Sequence, residues 1–222
     1  MPRSITRSVD LRDQVYDILR ERITNGAYAP TAKFYEISLA EELGVSRTPV
    51  REALAMLVRD GLLMQMVRGF CFPQFTTAQI DEICEIRMLL EPYAVYTVVK
   101  QNTVSDMVRL GAHLRAMLEA AGPTKAAYPD AHRRVREHLF SYVSNRQLVD
   151  AIERYNDSIQ YIRQSTLGSE RSRRISYEGM LRLADTIAEG NADLAREVMK
   201  QQLIKAREAF VEYLQAQEGS QV

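Results

Sequence analysis

The chain has 222 residues, of which 46% are hydrophobic and 26% are charged. Such a composition is typical of a globular protein, and the length suffices for one or two domains with cores of their own. There are 29 Lys and Arg residues and 29 Asp and Glu residues, so the formal net charge is zero. A neutral chain is not a uniformly basic, histone-like binder of nucleic acid, so any basic surface must be local.

Cysteine usage and hydropathy predict a location in the reducing cytoplasm. The two cysteines, Cys71 and Cys84, form no Cys-x-x-Cys pair and no disulfide framework of the secreted kind. Residues 1–22 carry a charge every few positions, so they lack the apolar core of a signal peptide. The longest apolar runs, such as residues 93–99, are far shorter than the ~20 residues that span a bilayer. We therefore expect neither export nor a membrane span.

A change in the sequence pattern around Pro73 predicts two domains. Before it, short periodic segments alternate with turn signals, whereas long helical patterns fill the rest of the chain. Pro73 cannot continue a strand ladder, and Thr76 or Thr77 can cap a helix that follows. The predicted domains are residues 1–75 and residues 76–222.

The first domain contains the pattern of a helix-turn-helix. Apolar side chains with a 3.6-residue period predict one helix around residues 15–23 and a short second helix over residues 36–43. Gly44 ends the second helix, and Ser46 is a suitable N-cap for a third helix that runs to about Asp60. Two helices joined by a tight glycine-containing turn form the motif whose second helix can lie in the DNA major groove.

The third helix has two faces of different chemistry. At ~100° per residue, one arc is apolar and consists of Val50, Ala53, Leu54 and Leu57. The opposite arc is polar and consists of Arg47, Thr48, Arg51 and Arg59. We expect the apolar arc to pack into the domain and the polar arc to be free for a partner.

A hairpin is predicted after this helix. Residues 62–66 and 70–72 have the pattern of two short strands, and Val67-Arg68-Gly69 forms the turn between them. A hairpin in this position is typical of the wing in a winged helix-turn-helix domain, and Arg68 would lie at its tip.

These residues resemble a known family. Residues 43–54 read LGVSRTPVREAL and are followed by Leu57 and Asp60-Gly61-Leu62, a run that resembles the recognition-helix signature of GntR-type bacterial transcription regulators. The second half opens with EIRMLLEP at residues 85–92 and is similar to the FCD branch, named for the C-terminal domain of FadR-like regulators. The resemblance implies a mostly α chain, with an N-terminal winged helix-turn-helix domain and an all-α antiparallel helical bundle. It also implies a homodimer that binds double-stranded operator DNA and a small effector.

The resemblance assigns DNA contacts residue by residue. The family's contact positions correspond to Ser46, Arg47, Thr48, Arg51, Arg68 and Gly69. Arg47 and Arg51 share the polar arc, so either can reach a guanine edge from the major groove. Hydroxyl groups at a helix N-terminus suit phosphate oxygens, and an arginine at a wing tip can enter the adjacent minor groove. The alternative for these arginines is a solvated surface without a DNA contact.

The second domain has six predicted helices separated by short breaks. They span residues 77–101, 104–121, 127–144, 146–167, 171–189 and 191–217. Short connections favour an antiparallel bundle, and such bundles offer ligand cavities between facing helices. The arginine cluster Arg171, Arg173 and Arg174 is predicted to be a solvated helix start.

The metal site of many FCD domains is not expected here. That site uses an Asp-x-x-x-His pair and two further histidines, but no Asp in this chain is followed four residues later by His. In the family's register the ligand positions hold His132, Arg136, Met180 and Gln202. One imidazole, a cation and a thioether form a poor site for a divalent ion. We therefore predict no metal and no other cofactor.

Two arginines are expected to point into the bundle. Arg136 shares an apolar helical stripe with His132, Leu139 and Val143. Arg87 lies on a similar stripe of the first predicted helix of this domain, residues 77–101. A buried arginine needs a carboxylate, a phosphate or water as its partner. One interpretation is an internal ion pair with Glu91 or another acid. The other is an anionic effector bound by Arg87, His132, Arg136, Met180 and Gln202.

The sequence thus predicts a ligand-responsive transcription regulator that binds a near-palindromic site. Repression is the preferred mode, although activation is equally compatible with the sequence. The alternatives are an effector-independent DNA-binding dimer with a degenerate pocket and, as a third class, an enzyme with a DNA-binding appendage. No Gly-rich phosphate loop, Gly-x-Ser-x-Gly elbow or two-histidine metal motif is present, which argues against an enzyme.

Overall fold

The computed structural model describes residues 10–219 except residues 25 and 30, without the side chains of residues 24, 156–162, 164, 165 and 217–219. The ends of both predicted domains, residues 1–9 and 220–222, therefore lie outside the described part. The chain forms two compact units, residues 1–74 and 75–222. Among the helices described, none is both long enough and apolar enough to cross a membrane.

The first unit is a three-helix domain with a small sheet. Its elements are α1 (Leu11–Thr24), β1 (Lys33–Phe34), α2 (Glu36–Leu43), α3 (Arg47–Arg59), β2 (Met64–Gln65) and β3 (Phe70–Cys71). The strands are antiparallel in the order β1-β3-β2, and Phe70 is paired with Phe34 on one side and Gln65 on the other. A strand of two residues has no measurable periodicity, which is why β1 was not predicted.

The apolar arc of α3 forms the centre of this unit. Val50, Ala53, Leu54 and Leu57 are all fully buried, and α3 packs against α1. The first strand of the predicted hairpin, residues 62–66, was too long, because the amides of Leu62 and Leu63 both donate to the carbonyl oxygen of Leu57. These two leucines therefore close the end of α3 and fill the core, and the strand begins only at Met64.

The second unit is an all-helical bundle with the six helices that the sequence predicted. They are α4 (Thr77–Gln101), α5 (Val104–Ala121), α6 (Tyr128–Phe140), α7 (Arg146–Thr166), α8 (Glu170–Ala188) and α9 (Ala192–Gly219). The helix α4 packs mainly on α9, and α8 packs on both α5 and α9. Thr76 caps α4 through a reciprocal pair of hydrogen bonds with Gln79. The helix α6 ends four residues before the predicted limit at residue 144 because a turn follows Phe140.

Arg173 is buried, so the prediction of a solvated arginine cluster was wrong at this position. Its guanidinium donates to the carbonyl oxygens of Leu167 at 2.8 Å, Gly168 at 2.7 Å and Pro123 at 3.2 Å. Two of these carbonyls follow the end of α7, where helical hydrogen-bond partners are missing. Arg173 thereby holds the end of α7 beside the start of α8.

Two glycines of the first unit form a matched pair for a stability test. Gly44 has φ 65° and open space within 4 Å of the point that a Cβ atom would occupy, whereas Gly69 has φ 83° and the corresponding point lies 2.6 Å from the Phe34 carbonyl oxygen. We expect Gly44→Ala to lower the free energy of unfolding by about 1–2 kcal/mol, the cost of a left-handed non-glycine residue. Gly69→Ala should cost roughly 1–3 kcal/mol more because of the backbone clash. Urea unfolding of both variants measures the difference, and equal losses would contradict it.

Candidate functional site

The start of α3 presents an open polar surface. Gly44 adopts the left-handed conformation that turns the chain from α2 towards α3. Ser46 is the N-cap in extended conformation, and its hydroxyl makes no capping hydrogen bond. Arg47, Thr48 and Arg51 are exposed in the first turns. These groups and the free amides of a helix N-terminus form a surface that suits phosphate oxygens and base edges.

Arg47 has one intramolecular partner on the preceding helix. Its Nη2 donates to Glu36 Oε2 across 3.3 Å, and the arginine side chain is 63% exposed. An exposed ion pair of this kind contributes less than about 1 kcal/mol. The contact orients Arg47 without preventing it from binding a stronger anion such as a phosphate.

The wing has a tight and exposed tip. The Met66 amide donates to the Gly69 carbonyl oxygen at 2.9 Å and closes the turn. Val67 and Arg68 are exposed at this turn, so Arg68 occupies the tip as predicted from the hairpin pattern. Gly69 lies against Phe34 and Tyr35, which gives it a structural role whether or not its backbone contacts DNA.

A cavity of about 200 Å³ lies within the second unit. It is lined by residues of α4, α6, α7, α8 and α9, and it brings together all five predicted effector residues, Arg87, His132, Arg136, Met180 and Gln202. The sequence reasoning missed Arg163, a buried lining residue on α7. The signal was available, because Arg163 shares a helical face with the buried Ile152 and Leu167 at spacings of eleven and four residues.

One buried carboxylate joins two of the arginines that line the cavity. Glu91 Oε1 accepts a hydrogen bond from Arg87 Nε at 2.6 Å, and Glu91 Oε2 lies 2.9 Å from Arg136 Nη2. Burial alone would raise the pKa of Glu91, but the charges of Arg136 and Arg87 outweigh burial and lower the pKa to about 2. The internal ion pair that the sequence left open is therefore present.

Arg87 and Arg136 carry one positive charge more than the carboxylate that they share. Glu91 is the single buried carboxylate among the described residues, and it faces the guanidiniums of Arg87, Arg136 and Arg163. In the described part of the chain, Arg87 Nη1 and Arg136 Nε have no hydrogen-bond partner although both atoms are buried. Burial lowers the pKa of both Arg136 and Arg163, and the neighbouring guanidiniums lower it further. A second anion would stabilise such a cluster.

His132 is a neutral group beside these charges. Burial lowers its pKa well below the ordinary value, and the nearby charges of Arg163, Arg136 and Arg87 act in the same direction. Its ring also contacts Tyr128, with 5.7 Å between ring centroids. The neutral imidazole can donate one hydrogen bond and accept another.

The side chains at the family's metal-ligand positions do not fit a divalent ion. Arg136 is a cation that pairs with Glu91, and Met180 and Gln202 supply a thioether and an amide. Among the described residues, no group of three His, Cys, Asp or Glu side chains is placed to hold a metal. Only His132 is a common ligand of zinc or a similar ion.

Gln202 reaches the cavity by lying across a glycine of α8. A Cβ atom at Gly179 would come within 1.6 Å of Gln202 Nε2, so any larger residue there would displace the amide. Nothing in the sequence pattern distinguishes Gly179 from an ordinary helical glycine. Because α8 and α9 lie close together at this point, the missing side chain of Gly179 leaves the space that the Gln202 amide occupies.

Comparison with known protein families assigns both units. The model of the bacterial regulatory proteins of the gntR family matches residues 11–71, and the FCD domain model matches residues 82–204. These ranges contain the winged helix-turn-helix and most of the helical bundle. The fold class that the sequence predicted is confirmed.

Individual relatives agree with these matches. The uncharacterised HTH-type transcriptional regulator YdhC of Bacillus subtilis is 33% identical over 153 residues, which are 68% of this chain and 68% of YdhC. The HTH-type transcriptional regulator McbR of Escherichia coli is 37% identical over 115 residues, 51% of this chain and 52% of McbR. The gluconate operon transcriptional repressor of Bacillus subtilis is 35% identical over 115 residues, 50% of this chain and 47% of the repressor.

A solved structure supports the fold along nearly the whole chain. The structure of E. coli McbR/YncC superposes with a TM-score of 0.73 at 24% identity and covers 92% of this chain and 99% of that one. The family models and the relatives extend this likeness from fold to family. The chain belongs to the GntR family of bacterial DNA-binding transcription regulators, in the branch with a C-terminal FCD domain.

Proposed function

We propose that this regulator is a homodimeric repressor whose operator binding responds to a small anionic effector in the helical domain. The observation that carries the proposal is the cavity lined by Arg87 and Arg136, which share the single carboxylate of Glu91 and keep two buried nitrogen atoms, Arg87 Nη1 and Arg136 Nε, without a hydrogen-bond partner among the described residues. A relative named as a transcriptional repressor supports the sign of regulation. Two copies of the domain would read two half-sites at a fixed spacing.

In the proposed DNA complex, α3 lies in the major groove. Arg47 and Arg51 read base edges, and each bidentate contact to guanine is worth about 1–3 kcal/mol of discrimination. Ser46 and Thr48 bind phosphate oxygens at the helix N-terminus. Arg68 enters the adjacent minor groove from the wing, where the turn closed by Gly69 holds it.

In the proposed regulatory step, the effector's anionic group binds Arg136 and Arg87 and accepts a hydrogen bond from Gln202 or His132. The unpartnered atoms Arg87 Nη1 and Arg136 Nε supply donors for it. Binding favours the dimer arrangement in which the effector interacts best, and that arrangement no longer fits the half-site spacing. Because binding free energies are linked, operator DNA weakens effector binding by the same factor.

A second candidate function follows from the Glu91 contacts. Since Glu91 pairs with both Arg87 and Arg136, the cluster can also serve the fold alone, in a regulator that needs no effector. In that case no organic acid would change the stability of the protein or its affinity for DNA. The following tests separate the two candidates.

The assignment of the reading helix is tested with two exposed arginines of α3. Genomic footprinting of the purified protein first supplies the operator. At fixed salt, Arg51→Ala should then weaken operator binding by about 1–3 kcal/mol and relax the preference at one base pair. Arg59→Ala, about 12 Å further along the helix, is the control and should leave the base preference unchanged. Unchanged specificity in Arg51→Ala would contradict the assignment.

The effector site is tested by thermal shift with a panel of small organic acids. An acid that stabilises the wild type should do so equally with and without EDTA. Arg136→Gln should weaken its binding at least about tenfold, because a charge-assisted hydrogen bond is lost. Arg134→Gln, an exposed arginine on the same helix, is the matched control. A response that EDTA abolishes, or one that survives in Arg136→Gln, contradicts the proposed site.

The buried carboxylate predicts a pH dependence of stability. Folding lowers the pKa of Glu91 from 4.5 to about 2, so its stabilising effect is present above pH 4.5 and is lost as the pH falls towards 2. The shift corresponds to about 3 kcal/mol. The difference in unfolding free energy between wild type and Glu91→Gln should shrink by about that amount from pH 6 to pH 2. Glu85→Gln, at an exposed position of α4, is the control, and a pH-independent difference for Glu91→Gln would contradict the prediction.

A further inference from the structure

We infer that the effector is an amphipathic acid of about eight to ten non-hydrogen atoms in all, with one anionic group on an apolar body and no array of hydroxyl groups. This inference rests on the proposed function and narrows the chemical class of its ligand. It follows from the distribution of charge, the state of the wall's polar groups and the volume of the cavity.

The lining of the cavity combines buried cationic groups with apolar side chains. Arg87, Arg136 and Arg163 are buried and line it together with the neutral His132. The apolar part of the lining includes Leu167, Ile175, Met180, Met199, Leu203 and Phe210. A ligand whose anionic group contacts the guanidiniums therefore finds hydrocarbon and thioether surface in the same cavity.

The opening of the cavity provides no second site for a negative charge. The charged side chains there are Arg171, Lys205, Glu208 and Glu212, and all four are exposed or half-buried. Two are basic and two are acidic, and Arg171 Nη1 lies 4.0 Å from Glu212 Oε1. Because their charges cancel and are screened by water, the opening does not favour a dianion over a monoanion.

Two of the three hydroxyl groups in the described lining already have partners within the protein. The Thr166 hydroxyl donates to the Arg163 carbonyl oxygen at 2.9 Å, and the Ser176 hydroxyl shares a hydrogen bond with the Tyr128 hydroxyl at 2.8 Å. Ser172, which is half-buried, is the third hydroxyl group of the lining. A sugar acid would have to bury several hydroxyl groups against these walls, and each hydroxyl without a partner costs about 1–3 kcal/mol.

The volume limits the size of the apolar body. The cavity holds about 200 Å³, and an apolar cavity of ~150 Å³ accommodates benzene. A phenyl ring or a short acyl chain with its carboxylate is therefore of suitable size. Larger conjugates would have to extend through the opening.

Calorimetric titration of the full-length protein tests this class with matched probes. The acids are phenylacetate and octanoate, their neutral counterparts are phenylacetamide and octanamide, and gluconate is a somewhat larger acid that carries five hydroxyl groups. We expect at least one of the two apolar acids to bind. Its amide should bind at least about tenfold more weakly, because the contact to the guanidiniums loses its charge, and gluconate should bind more weakly by a similar factor.

A wall substitution separates the apolar contact from the ionic one. Ile175→Ser removes apolar wall without touching the guanidiniums, and it should weaken the bound apolar acid about tenfold. Leu89→Ser, at an exposed position of α4 away from the cavity, is the control and should have no effect. Circular dichroism verifies that both variants are folded.

Three results would overturn the inference. Tighter binding of gluconate than of both apolar acids would retain the anion site but reject the amphipathic ligand. Equal binding of an acid and its amide would reject the contribution of the guanidiniums, and with it the proposed function. If none of the three acids binds, the ligand class is rejected. The thermal-shift test then decides on the anion site itself: the site stands if another anion stabilises the wild type but not Arg136→Gln.

Discussion

The helical domain depends on the Glu91 carboxylate, because it allows two guanidiniums to be buried in the core. Arg87 precedes Glu91 by one turn of α4, and Arg136 reaches the same carboxylate from α6. Removing one partner of such a buried pair costs about 3–5 kcal/mol. The shared carboxylate therefore fixes the position of α6 on α4. One negative charge thus holds Arg87 and Arg136 together without neutralising both of them.

Sequence patterns located most elements well and failed where the deciding contact is not local. The limits of α4 and α5 agree with the predicted ranges, because a capping threonine and a following helix breaker define the ends. The strand β1 was missed because two residues are too few to show an alternation of polar and apolar side chains. The Arg173 side chain was predicted to be solvated, but its guanidinium donates to the carbonyl oxygens of Leu167 and Gly168 just after the end of α7 and to that of Pro123, 50 residues earlier. A pattern of residue types does not reveal partners of this kind.

In the candidate effector site, too, local spacing predicted which side chains point inward but not which partners they meet. Helical spacing placed Arg87 and Arg136 on inward faces, and the cavity includes both of them. The same spacing places Arg163 on the inward face of α7, although Arg163 was not among the predicted effector residues. The sequence could not decide between an internal acid and a ligand, because that question depends on how many guanidiniums meet one carboxylate. With Glu91 in place, the internal pair exists, and the anionic effector stays a proposal.

The guanidinium cluster can take over the electrostatic role of a metal in the proposed site. Arg87 and Arg136 share one buried carboxylate, Glu91, so these two guanidiniums carry one positive charge more than their acid. Unlike an ion, arginines do not exchange with solvent, and they remain charged at any physiological pH. They also bind through directed hydrogen bonds, whereas a metal binds through open coordination positions. In the proposed mechanism the response to the effector is therefore independent of the supply of metal, and the apolar wall around Ile175 and Phe210 contributes to selectivity together with charge.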